Sequence, residues 1–171
     1  QMVPIVEPEV LMDGDHSINK CFDVTSKVLA ECYKELKINN VNLKGTVLKP
    51  NMILPGSNCK QKSTNDEIAK LTLECIKNNM PKEVPGVAFL SGGQSEVEAT
   101  KNLNAINKIN DTSFNFTFSY GRALQQSALK TWAKSTKDID SVQKVFNHRA
   151  KMNGASTEAK WDEKLEKSFA A

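Results

Sequence analysis

The 171-residue chain falls in the single-domain range and is long enough to bury a core without a disulfide or metal staple. Its 23 basic and 20 acidic residues leave a net charge of +3, spread without an arginine-rich block or interleaved aromatics, which argues against a nucleic-acid partner. No apolar run approaches the ~18 residues of a membrane span. The four cysteines form no C-x-x-C pair and only two histidines accompany them, so zinc-ligand spacing is absent and the thiols read as reduced and structural, as in a cytosolic protein.

Val3–Val6 suits a buried strand, and Glu7-Pro8-Glu9 ends it because proline cannot donate to a continuing ladder. Two carboxylates therefore stand at a strand's carboxyl end. From Ser17 to Lys37, Cys21, Val24, Val28 and Cys32 recur at helical intervals and predict one long amphipathic helix. A second strand spans Val41–Leu48 and closes at Lys49-Pro50. Thr64 and Glu67 fit a T-x-x-E capping box, and Ile68, Leu71, Cys75 and Ile76 continue a helical stripe behind it. Gly86–Leu90 is a third strand with Ser91-Gly92-Gly93-Gln94 as its turn, and Ser95 with Glu98 opens a helix toward Ile109. Phe114, Phe116 and Phe118 alternate as a fourth strand; after Ser119-Tyr120-Gly121-Arg122 come helical segments Leu124–Trp132 and Ile139–Ala150.

Strands alternating with helices predict an α/β class, a parallel sheet joined by right-handed crossovers. The strand-end markers Glu7, Lys49 and Ser91 are separated by equal steps of 42 residues, which fits repeated βα units. A (β/α)8 TIM barrel needs about 250 residues, so four units amount to half of one. Residues 1–150 are thus expected to form half a barrel, and the polar stretch 151–171 a mobile or loosely docked tail.

Lysine is a poor nucleophile at neutral pH, since its ordinary pKa is about 10.4 and nucleophilic catalysis wants ~7 to 8. Lys49, at the end of an apolar strand, is placed either for such activation or simply as a snorkelling strand-terminal lysine. Glu7 and Glu9 read as catalytic carboxylates or as solvated loop charges. Ser91, Gly92 and Gly93 offer backbone N–H groups near a helix amino terminus, and Ser119, Gly121 and Arg122 add a glycine turn and a guanidinium at the next strand end. Together they suit the phosphate site usual after the last two barrel strands; separately each reads equally as turn chemistry. Neither is a P-loop, and no G-x-G-x-x-G fingerprint is present.

The segments Val3–Glu9, Asp13–His16, Gly45–Met52, Phe89–Glu96, Asn102–Asn107 and Phe118–Gln125 resemble, in order and spacing, the carboxyl-terminal half of class I (Schiff-base) fructose-bisphosphate aldolase. The resemblance covers roughly residues 2 to 135 and implies that Lys49 forms the imine with the ketose, that Glu7 acts as general acid/base with Glu9 in support, and that Ser91, Gly92, Gly93, Ser119, Gly121 and Arg122 hold a substrate phosphate. No metal and no cofactor are implied, because the iminium does the work of a Lewis acid. The family's earlier strands supply further charged groups around the substrate. The amino-terminal half of the barrel is therefore the expected partner, with a cytoplasmic homo-tetramer as the family's usual state and glycolysis as its setting. The alternative reading is a catalytically silent aldolase-like scaffold; another barrel Schiff-base lyase, such as a transaldolase, fits the two glycine turns less well.

Overall fold

A computed structural model describes residues 2–168. In chain order it contains β1 (Ile5–Val6), α1 (Ile18–Ile38), a 3-10 turn (Leu43–Gly45), β2 (Val47–Leu48), α2 (Asn65–Asn79), β3 (Gly86–Phe89), α3 (Glu96–Ile109), β4 (Asn115–Phe118), α4 (Arg122–Lys134), α5 (Ile139–Thr157) and α6 (Glu163–Lys167). Most helix starts follow from local chemistry. Ser17 accepts from the Lys20 N–H, Thr64 from that of Glu67 and Asp138 from that of Ser141. At α3 the capping box is complete: Ser95 accepts from the Glu98 N–H while the Glu98 carboxylate accepts from the Ser95 N–H.

The strands lie side by side in sequence order and all run parallel, which yields four consecutive βα units. Their register aligns Val6, Leu48, Val87 and Phe116 in one row. Three of these are 2% exposed or less, because that face is covered by helices. Phe89 stacks on Phe116 with ring centroids 5.8 Å apart, and Leu29, Ile76, Leu103 and Ile106 complete the core. The opposite face is different: Ile5 stays 56% exposed and Val47, Ala88 and Thr117 are half-buried. A parallel sheet is ordinarily covered on both faces, so this second face is one that needs a cover.

Two expectations about the strands are corrected. The second strand is not Val41–Leu48: residues 43–45 turn through a 3-10 helix, Leu43 is buried, and the Leu43 carbonyl accepts from the Thr46 hydroxyl at 2.8 Å. A local turn thus satisfies groups that a longer strand would have needed a neighbour to pair. Likewise the first strand shrinks to Ile5–Val6, although the Pro4 carbonyl still accepts from Val47 at 3.1 Å.

The stretch after residue 150 is not loosely docked. Helix α5 continues to Thr157, and Met152, Asn153 and Ser156 are fully buried. Trp161 is buried too, and its indole N–H donates to Glu166 at 2.8 Å. Glu166 also accepts from the buried Arg149, which reaches on to the Thr100 hydroxyl at 2.7 Å. Lys101 pairs with Glu163 at 3.1 Å. Residues 149–166 therefore clasp α3, while Phe169, Ala170 and Ala171 lie outside the described residues.

Candidate active site at the carboxyl ends of the strands

Because the strands are parallel, the residues that follow them gather along one sheet edge: Glu7 after β1, Lys49 after β2, Ser91 after β3 and Ser119 after β4. The Val6–Leu48 register places Glu7 beside Lys49 one residue further on, and their side chains meet, Nζ to Oε1 at 2.8 Å. The Lys49 side chain is 19% exposed and Glu7 48%, so the pair sits at a rim with the amine on the protein side. Ala88 and Thr117, both half-buried, continue the row across β3 and β4. The chain beyond Lys49 is firmly held. The Asn51 carboxamide accepts from the Val10 N–H at 3.0 Å and donates to Thr25 at 3.1 Å, and the Ile53 N–H donates to Thr72 at 2.9 Å.

Glu7 and Glu9 diverge. Glu7 meets Lys49, whereas a Cβ added to Gly92 would lie 2.9 Å from the Glu9 carboxylate, which places Glu9 against the turn after β3. That turn is closed by the Gln94 N–H donating to the Ser91 carbonyl at 3.2 Å. Gly93 has φ +77°, and a Cβ there would come within 2.6 Å of Met12, so glycine is required twice over. The loops after β1 and β2 are stitched together beneath it: the Gly56, Ser57 and Asn58 N–H groups donate to the carbonyls of His16, Met12 and Gly14.

The turn after β4 divides its groups. The Ser119 N–H is spent on the Phe89 carbonyl at 2.9 Å, which leaves its hydroxyl for any ligand. Gly121 opens α4 with no side-chain cap, and Arg122 is exposed at the first helical position. Those first-turn amides, with the macrodipole behind them, favour an anion. Sequence reasoning assigned no part to Asn51, Tyr120, Glu96 or Ser127. The first three fall within the resembling segments Gly45–Met52, Phe118–Gln125 and Phe89–Glu96, which was the available signal.

A separate cavity lies away from this pair. A cavity of about 530 Å³ on the flank of the β3 turn is lined by Lys62, Asn65, Gln94, Lys101 and Asn102 among others, and by neither Lys49 nor Glu7. The Lys49 site is an open shelf, as expected where one sheet face is uncovered. Its chemistry is an amine within proton-transfer distance of a carboxylate, on the sheet edge that also carries the turns after β3 and β4.

No helix among the described residues is long and apolar enough to cross a membrane. The class-I fructose-bisphosphate aldolase family model matches residues 1–171. A cytosolic fructose-bisphosphate aldolase 4 of Arabidopsis thaliana is 54% identical over 157 residues, covering 91% of this chain and 40% of that protein. The cytoplasmic isozyme of Spinacia oleracea is 51% identical, covering 94% of this chain and 45% of that protein. A structure of Plasmodium falciparum fructose-bisphosphate aldolase, in complex with TRAP and a small-molecule inhibitor, superposes with a TM-score of 0.91 at 46% identity, over 94% of this chain and 46% of that one. The chain thus spans less than half the length of these relatives and corresponds to their carboxyl-terminal part, the second four βα units of the barrel. On the family match across its full length, this chain belongs to the class-I fructose-bisphosphate aldolases.

Proposed function

We propose that this chain supplies the Schiff-base half of an aldolase active site, cleaving fructose 1,6-bisphosphate to dihydroxyacetone phosphate and glyceraldehyde 3-phosphate. The observation that carries the reading is the 2.8 Å contact between Lys49 Nζ and Glu7 at the carboxyl ends of parallel strands. The Lys49 amine adds to the ketose carbonyl, and Glu7 delivers the proton with which the carbinolamine oxygen leaves as water. The resulting iminium accepts the electron pair of the breaking C3–C4 bond while the C4 hydroxyl loses its proton, so the aldehyde departs and an enamine remains. Protonation of that enamine and hydrolysis of the imine return the amine and dihydroxyacetone phosphate. Glu9 has a supporting part to Glu7 in the proton transfers; Ser91, Gly92, Gly93, Ser119, Gly121 and Arg122 hold the phosphate through N–H groups, hydroxyls and the guanidinium fork.

The relatives' cytosolic and cytoplasmic names support a cytosolic place in glycolysis. The uncovered sheet face, with Ile5 and Val47 on it, supports an amino-terminal half of the barrel as cover, in a homo-oligomer of the family's tetrameric kind. A soluble, active monomer with an intact mass near 18.9 kDa would contradict that partner. Borohydride added with dihydroxyacetone phosphate should fix the substrate carbons on the Lys49 peptide, and Lys49→Met should abolish the tag. Labelling that ignores substrate, or none at all, favours the silent scaffold instead.

A further inference from the structure

The two glycine turns are separate pieces of chain, yet gripping one phosphate requires a fixed distance between them. Each leads directly into a helix, so that distance is set by how the amino-terminal ends of α3 and α4 sit on each other. Two side-chain links join them. Glu96, the first residue of α3, accepts from both the Ser127 N–H, at 2.9 Å, and the Ser127 hydroxyl on α4. Tyr120, buried within the second turn, donates its hydroxyl to the Ala99 carbonyl on α3 at 3.0 Å. Burial pushes the Tyr120 phenol well above its ordinary range, so it remains a donor. The Glu96 link also acts on charge. A carboxylate in the first turn of α3 is drawn toward the same amide end that favours a bound anion, and here both its oxygens are engaged by Ser127 instead.

We infer that Glu96, Ser127 and Tyr120 are positioning residues that lock the turn at 91–94 to the turn at 119–122 so that both close on a single phosphate group. The inference rests on the phosphate reading of those turns. None of the three is placed on the substrate itself; they act through the helices that carry the N–H groups.

The test is an NMR titration of the intact protein with inorganic phosphate, following the amides of Gly92, Gly93 and Gly121. In the unaltered protein the two turns should report one shared Kd. Ser127→Ala and Tyr120→Phe should weaken binding roughly three- to tenfold, the loss of about one hydrogen bond each. They should also split the response, so that Gly92 and Gly121 titrate with different Kd values. Ser127→Thr, which keeps a hydroxyl, should restore the shared value. If both weakened variants melt earlier yet keep a single unaltered Kd, the links are structural only and the inference fails. If phosphate moves neither turn in the unaltered protein, the phosphate reading itself falls, a result distinct from the first.

Discussion

Replacing Glu166 by alanine leaves Arg149 buried with its main counter-charge gone. The two side chains are 5% and 16% exposed, and breaking a buried pair by deleting one partner costs about 3 to 5 kcal/mol. Arg149 keeps its bond to Thr100, and Glu166 retains some contact with water, so the lower end, about 3 kcal/mol, is expected for Glu166→Ala. Glu166→Gln still presents an oxygen to the Trp161 indole and should lose about half as much, the charged part of the bonds. The reporter is built in: Trp161 is buried and the other tryptophan, Trp132, is 51% exposed, so a Trp132→Phe background isolates the docked indole. With a urea m-value of about 2 kcal/mol/M, a loss of about 3 kcal/mol moves the Trp161 transition down by about 1.5 M. An unshifted midpoint and unchanged emission for Glu166→Ala would refute the view that this cluster docks the segment after residue 150.

Burial pushes the Cys75 thiol from 9.0 up to about 11, with Cys21 raised for the same reason. Because the unfolded thiol ionises first, stability is intact below pH 9 and declines as pH rises toward 11, by about 2 kcal/mol for Cys75. Urea unfolding at pH 7 and 10.5 should show Cys75→Ala losing correspondingly less; parallel losses would exclude the thiol as the cause. Gly93→Ala should both destabilise, by about 1 to 2 kcal/mol for the positive φ before any displacement of Met12, and weaken phosphate binding in the same titration. Gly56→Ala places a Cβ 2.4 Å from the Gly14 carbonyl and should lower thermal stability, since backbone must move to make room.

The features legible in sequence are those whose causes are local. Ser17, Thr64 and Ser95 announce helix starts because a cap needs only its own first turn, and Pro8 and Pro50 mark strand ends because the missing N–H acts at that residue. Lys49 stood out for the same reason, as a charge held against a proline stop behind apolar residues. The second strand's true length escaped because Val41–Leu48 is as apolar as a strand, while the bond from Thr46 to the Leu43 carbonyl decides otherwise. The segment after residue 150 escaped because its polar groups find partners far along the chain: Arg149 donates to Thr100 and Glu166, and the Trp161 backbone N–H donates to Asn104 at 3.1 Å.

Sequence alone therefore determined the order of the four strands and the first five helices, the capped helix starts and the identity of the residues at the strand ends, since hydrophobic period and backbone chemistry act over a few positions. Only tertiary structure decided which carboxylate meets the lysine. Glu7 and Glu9 are equivalent in composition and differ by two positions, but the parallel register of β1 against β2 brings one to Lys49 and turns the other toward Gly92.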